Sequence, residues 1–183
     1  MAALRMSREL TMLVVMVSMV QLLLCLQVEA GGPKKLVLYA HENRVPPNNT
    51  LIGSAAPNGN LTDEKFGLIK TVSNTLRAGP EADSEEIGAQ VGIVVLGKDV
   101  LNLYISYTYY LNNASEYGVS TIAVHGHIDG VYEGNRVFAV VGGTGKFASV
   151  TGEDTSPFDA VVLDESRVVN THTLTLRYPP YYK

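Results

Sequence analysis

Apolar and polar positions alternate with a period of two along most of this chain. From residue 101 to 111 every odd position is apolar or aromatic (Leu101, Leu103, Ile105, Tyr107, Tyr109, Leu111), while Asn102, Ser106 and Thr108 occupy the other face. Successive side chains of a strand point to opposite sides, so the pattern predicts one long strand with one dry face. Residues 171–178 alternate likewise, with His172, Leu174, Leu176 and Tyr178 on one face and Thr171, Thr173, Thr175 and Arg177 on the other. Shorter runs at 35–41, 67–72, 88–95, 121–128, 136–141 and 158–163 are rich in β-branched residues and separated by Gly, Pro, Asn and Asp. No segment carries a helical stripe, and 43–63 and 78–86 read as loops. The predicted fold class is all-β, an antiparallel up-and-down β-barrel of about eight strands, because closure removes exposed edges and encloses room for a small ligand. A sandwich is the architectural alternative.

Residues 1–30 read as a cleaved signal peptide and 31–183 as one barrel domain. Arg5 and Arg8 supply a positive start, an apolar stretch from Leu10 to Leu26 is broken by Thr11, Ser18 and Gln21, and Val28-Glu29-Ala30 offers small residues for cleavage. A transmembrane helix is the competing reading, disfavoured by the internal polar breaks and the slightly short apolar run.

Cleavage changes the chemistry that is available. All 5 Met and the single Cys, Cys25, precede residue 31, so the mature chain has no thiol for a disulfide, a nucleophile or a metal site. Removing Arg5, Arg8, Glu9 and Glu29 leaves the net charge at −4. That balance argues against a nucleic-acid or anionic-membrane surface. Sequons begin at Asn48, Asn60 and Asn113 in polar, turn-like surroundings, and behind a signal peptide they predict at least one surface glycan.

Two local motifs invite a cofactor, and neither sustains one. Val141-Gly142-Gly143-Thr144-Gly145-Lys146-Phe147 ends in Gly-Lys, but Val140 and Phe147 stand where a phosphate loop needs Gly and Ser or Thr. No helix follows for a dinucleotide fingerprint, so the cluster predicts a tight turn between strands. His125-Gly126-His127 puts two imidazoles on one strand face with Asp129 nearby, as in cupin metal sites. Gly118 and Glu133 are offset from the cupin spacing and no second cupin motif lies near His172, which leaves strand-face histidines without a metal. No serine elbow or paired-Cys motif is present, and no cofactor is expected.

Leu38-Tyr39-Ala40-His41-Glu42-Asn43 stands near the mature N-terminus. Phe66-Gly67, Leu76, Gly79-Pro80, Ile87-Gly88, Gln90 and Gly92 follow, then Glu116-Tyr117-Gly118-Val119-Ser120-Thr121 with Gly126, then Arg136 leading to Val140 through Phe147 and Gly152. The first segment is similar to the first-strand signature of the plant dirigent family, and the order of the others resembles that family's.

The resemblance implies an eight-stranded antiparallel barrel, assembled as a homo-oligomer (dimer or trimer), secreted to the apoplast and working in lignan, phenylpropanoid or defence metabolism. Such proteins have no oxidative centre of their own. An external laccase or peroxidase makes phenoxy radicals, and the barrel holds two monolignols so that one face couples; some relatives instead cyclise quinone methides. Of the family's charged pocket residues, only Glu42 and, by position, Arg136 carry over as candidate catalytic groups. Departures fall at Val137, at Ser73-Asn74, within Gly88-Ala89-Gln90-Val91-Gly92, and at Ala148 and Thr151, where the family has charged residues. Two further classes stay open: a cyclase of the allene oxide cyclase type, disfavoured by the secretory rather than plastid-type N-terminus, and a non-catalytic secreted binding barrel.

Overall fold

The computed structural model describes residues 34–98, 102–129 and 134–180. The predicted signal segment, Cys25 and Leu101 lie outside the described residues. Ten strands are present among the described residues: β1 (Lys35–Asn43), β2 (Leu51–Ala55), β3 (Ile69–Arg77), β4 (Glu86–Leu96), β5 (Asn102–Leu111), β6 (Ser120–Asp129), β7 (Asn135–Thr144), β8 (Thr151–Pro157), β9 (Val161–Val162) and β10 (Arg167–Arg177). Antiparallel pairing runs β1-β10-β8-β7-β6-β5-β4-β3, and a β1–β3 contact closes the ring. Apart from β2 and β9, ring order follows chain order. The result is an eight-stranded up-and-down barrel, the predicted architecture.

The ring is unevenly sealed. β1 meets β3 through only Tyr39–His41 against Thr75–Arg77, while the first half of β3 pairs with β2 instead. β10 divides one edge in the same manner between β8 and the short β9. One end of the barrel is therefore flanked by added strands.

Two strands correct the sequence reading. β2 lies inside the expected 43–63 loop: Leu51–Ala55 is too short and too exposed to show alternation, and backbone pairing with β3 defines it. The seventh expected strand, 158–163, is also displaced. The barrel strand is β8, Thr-Gly-Glu-Asp-Thr-Ser-Pro, whose inward positions are Asp154 and Ser156 rather than apolar residues. Only Val161–Val162 of the apolar run pairs, at the edge of β10.

Inward positions of the other strands build the core, including Leu36 and Leu38 from β1, Leu76 from β3, Leu111 from β5, Ile122 and Val124 from β6, and Leu174 and Leu176 from β10. Only part of the glycine cluster is the predicted turn: residues 141–144 complete β7 against β6, and the chain turns at Gly145–Phe147. Gly145 sits at φ +62, and a Cβ there would come within 2.4 Å of Ser120 Oγ. A 3₁₀ turn, Gly145–Phe147, then inserts the fully buried Phe147 edge-on against Tyr117 with ring centroids 5.3 Å apart.

Candidate functional site

The apolar packing does not fill the whole barrel. At the end where β1 finishes and β3, β5, β7 and β10 begin, a cavity of ≈ 240 Å³ remains. Val72, Val94, Leu103, Ile105, Tyr107 and Phe138 supply apolar walls, and Glu42, Arg44, Glu64 and Lys70 stand among its lining groups. Tyr107 and Phe138 meet edge to face at 6.4 Å. Burial pushes the Tyr107 phenol well above its ordinary range, a tendency opposed by Arg136, so it is held as a neutral donor.

The two candidate charged residues face this cavity for a simple reason of parity. Glu42 follows the inward Leu36, Leu38 and Ala40 at alternate positions on β1, and Arg136 precedes Phe138 and Val140 on β7. Asn170 of β10 links them: its Nδ2 donates to Glu42 Oε2 at 3.3 Å, and its Oδ1 accepts from Arg136 Nη2 at 3.1 Å. Arg44 Nε donates to Glu42 Oε1 at 2.8 Å, so both carboxylate oxygens have partners. Arg136 Nη2 also donates to Ser156 Oγ and the Pro157 carbonyl, and its guanidinium lies 5.5 Å from the Phe158 ring centre. Burial lowers the Arg136 pKa from its ordinary value, while neighbouring Tyr107 and Asp154 act in the opposite sense.

Beneath the cavity lies a polar layer that sequence reading did not assemble. Thr50 Oγ1 donates to Asn74 Oδ1 at 2.6 Å, Asn74 Nδ2 donates to Gln90 Oε1 at 2.8 Å, and Gln90 Nε2 lies 3.3 Å from His172 Nε2. On the far side of that ring, His172 Nδ1 is 2.9 Å from Asp154 Oδ2, and Tyr109 OH donates to the same oxygen at 2.6 Å. Asp154 and Tyr109 are 0% exposed, and Asn74, Gln90 and His172 no more than 3%. Burial and the Asp154 carboxylate hold the Tyr109 phenol far above its usual range. Among the described residues, Asp154 Oδ1 and Arg136 Nε are buried without a hydrogen-bond partner. Alternation had placed Tyr109 and His172 on inward faces, but Asp154 was hidden by the misplaced strand.

The family-position departures fall in different surroundings. Val137 and Ser73 face outward, so neither side chain reaches the cavity. Asn74 and Gln90 do line it and supply neutral amides.

The remaining candidates lie elsewhere. His125 and His127 project from the outside of β6, where Tyr104 OH and His125 Nδ1 are 2.9 Å apart. Gly126 between them faces inward, and a Cβ there would come within 2.2 Å of the Phe138 ring. The His-Gly-His motif thus serves packing on its inner side. Among the described residues, no group of three or more His, Cys, Asp or Glu side chains is gathered as for a metal. Asn48, Asn60 and Asn113 are all exposed.

Comparison with known proteins agrees with this architecture. The sequence pattern described as dirigent-like protein matches residues 33–176. Pterocarpan synthase 1 of Glycine max is 30% identical over 128 residues, which are 69% of this chain and 68% of that protein. Dirigent protein 1 of Arabidopsis thaliana is 32% identical over 108 residues, 58% of this chain and 57% of that one. The solved structure of the pterocarpan synthase dirigent protein GePTS1 superposes with a TM-score of 0.66 at 25% identity, covering 78% of this chain and 82% of its own. A family match across nearly the whole barrel, together with this structural likeness, settles the relationship: this chain belongs to the dirigent-like protein family.

Proposed function

We propose that the barrel binds one reactive phenolic intermediate, a phenoxy radical or a quinone methide, and fixes which face of it reacts. The observation that carries this reading is the cavity. Its ≈ 240 Å³ lies just below the ~300–1,000 Å³ of pockets that enclose drug-sized ligands. One phenylpropanoid fits that volume better than the two expected from the family resemblance. A coupling partner would then approach the held molecule through the mouth, whereas a quinone methide could close a ring without any partner. Similarity to proteins named pterocarpan synthase supports the second route beside radical coupling.

Orientation is the contribution asked of the protein. A difference of ~1.4 kcal/mol between two geometries changes a product ratio tenfold, and a dry aromatic wall with a few fixed polar groups supplies energies of that size. Glu42 would anchor a phenol or hydroxyl from the cavity side, held in place by Arg44 and Asn170. Radicals come from a separate laccase or peroxidase in this reading. The same reading includes export to the apoplast, glycan on at least one of Asn48, Asn60 and Asn113, and assembly as a dimer or trimer; the exposure of the sequons supports the glycan. Product handedness tests the proposal: a stereochemical bias that depends on the protein supports it, and racemic product despite ligand binding would favour a non-catalytic binding barrel.

A further inference from the structure

We infer that His172 is the proton acceptor for a phenolic hydroxyl bound in the cavity, with Asp154 as its positioning partner. The inference rests on the phenol-binding reading of the cavity and assigns to it a group outside the Glu42–Arg136 pair.

Hydrogen-bond direction fixes the histidine tautomer. Thr50 gives its proton to Asn74 Oδ1, which turns the Asn74 amide nitrogen toward Gln90 Oε1 and leaves Gln90 Nε2 facing His172 Nε2. An amide nitrogen only donates, so His172 Nε2 must accept and the ring proton resides on Nδ1, toward Asp154. The base site is therefore the nitrogen on the side of Gln90, and both His172 and Gln90 line the cavity. At 3.3 Å the Gln90 contact is long, so a ligand hydroxyl can replace it at little cost.

Charge points the same way. Among the described residues, completely buried Asp154 forms no ion pair with Arg or Lys and leaves Oδ1 without a hydrogen-bond partner. A buried carboxylate of this kind gains a full ion pair when His172 takes up a proton. Groups around the ring from the other strands are Tyr107 and Tyr109 of β5, Arg136 of β7 and Glu42 of β1, with the neutral Asn74 of β3 and Gln90 of β4. Glu42 is the rival acceptor and can take a hydrogen bond from the ligand, but protonating it would weaken its ion pair with Arg44, whereas protonating His172 completes one with Asp154.

The step is a simple proton transfer. The ligand O–H bond breaks, its electron pair stays on oxygen, and an N–H bond forms at Nε2. The phenolate oxygen then attacks the exocyclic carbon of the quinone methide, the electron pair of that double bond shifts through the ring onto the quinone oxygen, and imidazolium gives its proton to that oxygen, so the protein ends unchanged. No oxidant is consumed in this step.

The test uses para-nitrophenol, whose phenolate absorbs visible light, on the complete protein. Bound to the wild type, it should ionise at a pH lower than in free solution. His172→Gln and Asp154→Asn should each move that ionisation back by roughly tenfold in proton concentration, the scale of a lost neighbouring charge. Because both variants alter buried polar groups on which the fold also rests, NMR of the histidine ring nitrogens in the unaltered protein gives a second readout: His172 Nε2 should become protonated when the phenol binds. Binding with unshifted ionisation, or a His172 that stays neutral in the complex, would overturn the inference while leaving the cavity reading intact. Failure of para-nitrophenol to bind at all would instead overturn the phenol-binding reading, and this inference with it.

Discussion

Glu42 and Arg136 do not touch; Asn170 stands between them, donating to the carboxylate at 3.3 Å and accepting from the guanidinium at 3.1 Å. An amide in that position holds the two charges apart and in register, while Arg44 pairs directly with the carboxylate at 2.8 Å. The carboxylate therefore keeps capacity to accept one more hydrogen bond from a ligand hydroxyl, since each carboxylate oxygen has two lone pairs.

That arrangement predicts the effect of Glu42→Gln. The amide preserves size but loses the charge-assisted bonds, each worth about 1.5–3 kcal/mol. Where only one of two product geometries uses Glu42, the stereochemical bias should fall roughly tenfold, with far-ultraviolet circular dichroism unchanged. An unaltered bias would remove Glu42 from the site.

Tyr109→Phe tests the buried layer through stability. It deletes the donor at 2.6 Å from Asp154 Oδ2 and leaves a fully buried carboxylate with the His172 contact alone. Denaturant unfolding should show a loss of about 1–3 kcal/mol, the cost of an unsatisfied buried acceptor. A neutral substitution would mean that solvent reaches Asp154.

Stability should also depend on mild acid through His41. Burial lowers its pKa below the ordinary 6.5, partly offset by the hydrogen bond to the Gly79 carbonyl. The unfolded chain then binds the proton more tightly than the folded one, so this contribution is present above pH 6.5 and is lost as pH falls through the lower folded value. Unfolding curves across that window should be flatter with pH for His41→Gln than for the wild type; identical slopes would contradict the assignment.

Alkaline titration offers a matching test of the interior. Tyr107 and Tyr109 are held neutral by burial beyond the usual phenol value of 10.0. Their contribution to stability is complete below that value and disappears as pH rises past it toward the folded pKa. Tyrosinate absorbance should therefore rise in two phases, the late one coinciding with unfolding. A single phase in a folded protein would contradict the closed core.

Much of this molecule was legible in the sequence, for reasons that individual residues make plain. The alternation of Leu103, Ile105, Tyr107, Tyr109 and Leu111 works because β5 has one dry face, whereas Glu42 and Arg136 come from the family resemblance and strand parity then turns them inward. Periodicity fails where burial is polar. Asp154 and Ser156 line the inside of β8, so hydropathy pushed the expected strand onto the neighbouring apolar residues 158–163. With β8 displaced, Asp154 could not be paired with His172. Nor could the meeting of Thr50, Asn74 and Gln90 be read locally, because it depends on the register of β3 against β4 and on Thr50 folding back beside Asn43 and Ser73. His125 and His127 show the reverse case: their spacing was read correctly as one face, and the inward Gly126 decides that the face is the outer one.

The most direct measurement is chiral chromatography of products formed from several monolignols, with and without the purified protein, while an external one-electron oxidant supplies radicals. A parallel arm supplies a preformed quinone methide and no oxidant. The account predicts a stereochemical ratio displaced from racemic in at least one arm, in proportion to protein added, with phenol consumption in the oxidant arm no faster than without it. Racemic product in both arms, or phenol oxidation by the protein alone, would contradict it.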